Sequence, residues 1–147
     1  MEENMMIFSD AESGDAVVRK YSGLALAYIG DSIFDLLIKD YFVRRSNMST
    51  EKYHKVVSGI VKAVNQAALI DEMSEEGVLT ETESDVYRRG RNSAIHTKAK
   101  NATMGEYKKA TGFEAVLGYL YLKGDMDRLR YFADRALEKA GFSKNEI

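Results

Sequence analysis

Apolar residues recur along this chain at three- and four-residue spacing, the period of helices buried on one face. No stretch alternates in the manner of paired strands, and proline is absent. The spacing predicts a short helix near Ala16 to Tyr21 and a long one from about Gly23 to Arg45. Ser49 and Thr50 offer an N-cap for "EKYHKVVSGIVKAVNQAALIDEM", read as two helices or as one broken near Gly59. Thr80 with Glu83, and Thr103 with Glu106, form two capping boxes, each opening a further helix. The second of these runs to about Lys123, where Gly124 terminates it. A last amphipathic helix covers about Met126 to Ala140. Residues 1–14 read as a flexible tail and residues 15–147 as a single all-α domain.

Two segments depart from the amphipathic pattern. "LALAYIGDSIFDLLI", residues 24 to 38, is apolar except for Asp31, Ser32 and Asp35. "ATGFEAVLGYLYL" is likewise apolar around one acid, Glu114. A carboxylate in a buried segment costs several kcal/mol unless it is solvated, paired or bound. Small residues flank both acids (Ala27, Gly30, Ala110 and Gly118), so the two helices can approach closely and bring Asp31 and Glu114 together. Adjacent carboxylates raise one another's pKa unless a cation lies between them. A hard divalent ion such as Mg²⁺ suits that arrangement. The residues alone leave a second reading open, in which each acid is salt-bridged or faces solvent. The apolar content of residues 24–38 also exceeds what one side of a small core needs, which marks an interface and predicts a homodimer.

Charge adds a third feature. The net charge is −2, yet Asp71 to Asp85 holds seven acids and no base, while Arg88 to Lys109 holds seven bases and one acid. The basic segment reads either as a solvated face that balances the acidic run or as a footprint for a polyanion. Without cysteine there is no disulfide framework and no thiolate site, consistent with a cytoplasmic location. No apolar run approaches a membrane span, and the acidic N-terminus does not read as a signal peptide.

"YIGDSIFDLLIKDYF" resembles the signature helix of the ribonuclease III nuclease domain, whose Gly-Asp-Ser step carries a metal-binding aspartate. "GFEAVLGYLYL" is similar to that fold's other catalytic helix, and "AVNQAALI" to its middle helix. "YRRGRN" followed by a lysine-rich loop, with no appended double-stranded-RNA-binding domain, resembles the Mini-ribonuclease III branch. The resemblance spans about residues 16 to 135.

It implies a homodimeric, all-α endoribonuclease that cuts double-stranded RNA by Mg²⁺-dependent hydrolysis, with Mn²⁺ a candidate substitute. Asp31 and Glu114 match the catalytic, metal-binding acids. Larger ribonucleases III carry further acids where this chain has Ala27 and Thr111, so water is expected to fill more of the metal's shell. Thr111 remains readable as a water-orienting group or as packing, and Asp35 as a supporting acid or a surface residue. Arg88, Arg89, Arg91, Asn92, Lys98 and Lys100 become the RNA-binding set, replacing the missing domain. The branch implies maturation of large-subunit (23S) ribosomal RNA ends, with precursor ribosomal RNA as substrate and a ribosomal protein as candidate assistant. The alternatives are a non-cleaving RNA-binding or assembly module with the same fold, and a helical adaptor whose acidic block binds a basic protein.

Overall fold

The computed structural model describes residue 7 and residues 9–95 and 102–142. Lys98, Lys100 and residues 1–6 and 8 of the N-terminal tail lie outside the described residues. Among the described residues seven helices follow one another: α1 (Gly14–Lys20), α2 (Gly23–Arg45), α3 (Thr50–Val61), α4 (Ala63–Glu76), α5 (Glu81–Ser93), α6 (Met104–Leu122) and α7 (Met126–Lys139). The all-α expectation holds. Most helix starts are written locally, because Ser13, Ser22, Ser49 and Asp125 each accept a hydrogen bond from a backbone N–H of the first turn. Both capping boxes close as their sequences predict. Gly124, at φ 78°, follows the last turn of α6.

One boundary differs from the sequence reading. The break in the 50–76 stretch falls at Lys62, not near Gly59. Gly59 stays helical, and the Asn65 side chain donates to its carbonyl at 2.6 Å. Lys62 is extended (φ −66°, ψ 155°) and its side chain makes no cap.

Helix α6 is the axis of the domain. Every residue from Ala110 to Leu120 is buried except Glu114, because α2, α4, α5, α7 and α1 surround the helix. That enclosure explains an apolar pattern without a polar face. Phe34 of α2, Phe113 of α6 and Phe132 of α7 form a chain of ring contacts through the core, with centroids 5.1 and 6.1 Å apart. Helices α2 and α6 meet backbone to backbone: a Cβ on Gly30 would stand 1.7 Å from the Glu114 carbonyl oxygen. A Cβ on Gly118 would stand 2.0 Å from that of Leu26. Only glycine fits either position.

The acidic run is used mainly to tie helices together. Arg128 of α7 forms two 2.8 Å hydrogen bonds to Glu83, which is 2% exposed and also closes the α5 capping box. Arg135 reaches Glu72 and Glu76, Lys139 reaches Glu72, and Lys109 reaches Asp71. Apart from Glu83 these acids are partly exposed, where ion pairs contribute little stability.

Candidate active site

The Gly30–Gly118 crossing decides the position of the two acids. Asp31 follows Gly30 on α2, and Glu114 lies one turn before Gly118 on α6, so close helix contact sets their side chains against each other. Asp31 is exposed, whereas Glu114 is largely buried behind it. Burial pushes the Glu114 carboxyl up to about 8; the neighbouring Asp31 adds charge repulsion and a carboxyl–carboxyl hydrogen bond. A weak opposing influence comes from Gln66, whose Nε2 donates to Glu114 Oε2 at 3.4 Å. Neither acid has a Lys or Arg partner among the described residues.

An uncompensated acid pair at a helix crossing is poorly placed as a structural ion pair and well placed for a hard cation. The donor set fits Mg²⁺ in chemistry: carboxylate oxygens, one end open to solvent. It is also small, since no group of three or more His, Cys, Asp or Glu side chains gathers among the described residues. Ala27 and Thr111 are buried, one turn and three residues before the two acids respectively. Thr111 Oγ1 donates to the Tyr107 carbonyl at 3.0 Å, which ties its hydroxyl to its own helix. Asp35 pairs with Lys39 at 2.7 Å, i to i+4 on the surface of α2. The packing reading of Thr111 and the surface reading of Asp35 fit these contacts.

Residues 24–125 match the ribonuclease III domain. The Mini-ribonuclease 3 of Streptococcus pneumoniae is 40% identical over 122 residues, which cover 83% of this chain and 95% of that protein. The chain belongs to the ribonuclease III family, in its Mini-ribonuclease 3 branch. The Thermoanaerobacter Mini-ribonuclease 3 is 36% identical over 142 residues, covering 94% of this chain and 97% of its own. A crystal structure of a Fusobacterium nucleatum protein has the same fold, with a TM-score of 0.75 and 28% identity, covering 84% of this chain and 97% of that one. As a ribonuclease III family member, the chain is an endoribonuclease, a nuclease acting on RNA.

In this ribonuclease III chain the basic segment divides into distinct parts. Arg89 is half-buried and bonded to backbone. Its guanidinium donates to the carbonyls of Val18 at 2.9 Å and Tyr21 at 2.7 Å. Those carbonyls are left over where the short helix α1 ends, so Arg89 pins the α1–α2 turn. Of the arginines in the sequence-predicted RNA-contact set, Arg89 is thus the one engaged within the fold. Arg88 forms an exposed ion pair with Asp85, one helical turn away. Arg91 lies over the Tyr87 ring at 5.4 Å and has no acid partner among the described residues; Asn92 is exposed beside it. Gly90 serves close packing of α5 on α6, where an added Cβ would meet Ala115 Cβ at 2.7 Å.

Gln66 is the site residue that the sequence reading missed. It sits in "AVNQAALI", which resembled the middle helix of the family without pointing to any one residue. The available signal was a glutamine at an otherwise apolar helical position, preceding "AALI".

Proposed function

We propose that the protein cleaves double-stranded RNA by divalent-metal-dependent hydrolysis, with Asp31 and Glu114 holding the ion. The observation that carries this reading is the adjacency of two carboxylates without a cationic side chain, one raised to about 8 by burial and its neighbour. Mg²⁺ is the proposed ion, with Mn²⁺ a substitute of similar chemistry. When bound, it would supply polarisation of the scissile phosphate and activation of water. Asp31, at the solvent edge, is where the RNA backbone reaches the site. Glu114, behind it, must lose its proton to act as a ligand, so loading the site releases a proton.

The protein acts as a homodimer in this proposal. Tyr28, Leu36 and Val43 are 85%, 54% and 59% exposed and share one face of α2, beside Asp31. Three large apolar side chains on the helix that carries a catalytic acid are the mark of an interface. Two sites so joined would act on the two strands of one duplex, reading A-form RNA by shape across its minor groove. Arg88, Arg91, Asn92, Lys98 and Lys100 are the proposed phosphate contacts. The proposed substrate is precursor 23S ribosomal RNA, with assistance from a ribosomal protein, in the cytoplasm.

The test is cleavage of a long RNA duplex with Mg²⁺, using Ca²⁺ as a control that supports binding without cutting. Mg²⁺-dependent cleavage lost on Asp31→Asn supports the reading. RNA binding without cleavage in Mg²⁺ or Mn²⁺ would replace it with the non-cleaving module.

A further inference from the structure

Gln66 is 3% exposed and stands where three elements meet. Because α3 stops at Lys62, the Asn65 N–H bonds the Lys62 carbonyl and leaves that of Val61 without a helical partner. Gln66 Nε2 takes that carbonyl at 2.7 Å and also donates to Glu114 Oε2 at 3.4 Å. Both N–H groups of the amide are thereby committed. The contact with Val61 also sets which end of the amide is nitrogen, since a carbonyl oxygen would repel another oxygen there. The Oε1 end is buried and has no partner among the described residues.

We propose that Gln66 is a positioning residue for catalysis: it anchors Glu114 to the α3–α4 break, so that the carboxylate is held in the orientation that receives the metal. The proposal rests on the reading of Asp31 and Glu114 as metal ligands. Asp31 needs no such support, because it is exposed at the solvent edge. Glu114 has to be held from behind, and the donor doing so is neutral. A Lys or Arg in that place would neutralise the carboxylate and compete with the ion. The irregular backbone at Lys62 thus has a use: it frees the carbonyl that fixes the amide fixing Glu114.

The experiment compares wild type with Gln66→Met, of similar volume without an amide, and Gln66→Asn, one methylene too short to span both partners. Three quantities are read: melting temperature with and without Mg²⁺, duplex RNA affinity in Ca²⁺, and the single-turnover cleavage rate at saturating RNA. Both variants are expected to keep RNA affinity within about twofold and to lose about tenfold or more in cleavage rate. The rise in melting temperature on adding Mg²⁺ should shrink, since that rise reports affinity for the folded site. An unchanged Mg²⁺-induced rise together with an unchanged rate would overturn the proposal. So would a fall in metal-free stability with wild-type cleavage, or failure of both variants to fold, because either makes Gln66 a packing residue. Failure of the wild type to cleave would instead strike at the metal-ligand reading itself.

Discussion

Gly30 and Glu114 are in backbone contact: any side chain at residue 30 would penetrate the carbonyl oxygen of residue 114. The first prediction follows from that contact. Gly30→Ala forces α2 and α6 apart, and a backbone oxygen cannot rotate aside as a side chain could. Overpacking of this kind costs about 1–3 kcal/mol, occasionally more, and this site should fall at the upper end. Gly59→Ala is the matched control, since a Cβ there meets nothing within 4 Å. It should raise stability by roughly 0.5–1 kcal/mol through helix propensity. Chemical denaturation of both variants checks the pair.

The second prediction concerns the acids. Asp31→Asn and Glu114→Gln should each lower single-turnover cleavage by roughly 10²–10³-fold, the scale of losing one group that stabilises a transition state. Duplex binding in Ca²⁺ should persist, because neither acid grips phosphate directly. Robust cutting by either variant would move the active site elsewhere.

The third is a pH dependence with a definite sign. Glu114 is held above its ordinary value of 4.5, at about 8. Between those values the folded protein binds more protons than the unfolded chain, so this group lowers stability as pH rises, by at most about 1.4 kcal/mol per unit. Its stabilising contribution is fully present below 4.5 and is lost as pH passes through 8. Metal-free protein should therefore melt at a lower temperature at pH 8.5 than at pH 5.5, and Glu114→Gln should flatten the difference. At pH 8.5 that variant should be more stable than wild type. An equal fall in melting temperature between pH 5.5 and pH 8.5 in both proteins would contradict the assignment.

Neighbouring arginines should separate binding from folding. Arg89→Gln removes both bonds to the α1–α2 turn and should lower the melting temperature while leaving the salt dependence of RNA affinity unchanged. Arg91→Gln should do the reverse, flattening the slope of log affinity against log salt by roughly 0.9 for each phosphate no longer neutralised, on the figure for B-DNA. Melting and binding measured on the same two variants check this.

The apolar face of α2 yields the last prediction. Leu36→Glu together with Val43→Glu places charge on a surface that a dimer would bury, so the protein should sediment as a monomer of 16.5 kDa at micromolar concentration. Wild type should sediment at about twice that mass, the expectation for closed twofold pairing. A monomeric wild type would remove the face from the interface.

Helix starts, the two capping boxes and the all-α class were legible in the sequence because they depend on neighbours three or four residues apart. The Asp31–Glu114 pair was legible in part: small residues beside each acid allow a close crossing, but only the resemblance of both segments to the ribonuclease III helices, not periodicity, indicated that the two crossings were one. Tertiary structure decided what depends on partners far along the chain. Arg89 reads as one of three arginines in "RRGRN", and only the carbonyls exposed about seventy residues earlier make it a structural donor. Glu83 reads as a capping residue until Arg128 reaches it from α7. Gln66 reads as an interruption of an apolar face until the break at Lys62 and the burial of Glu114 give its two N–H groups acceptors. Local pattern specifies which hydrogen bonds a helix makes with itself. The unsatisfied groups left at helix ends and in buried crossings find partners only in the folded chain, and those partners set the geometry of the site.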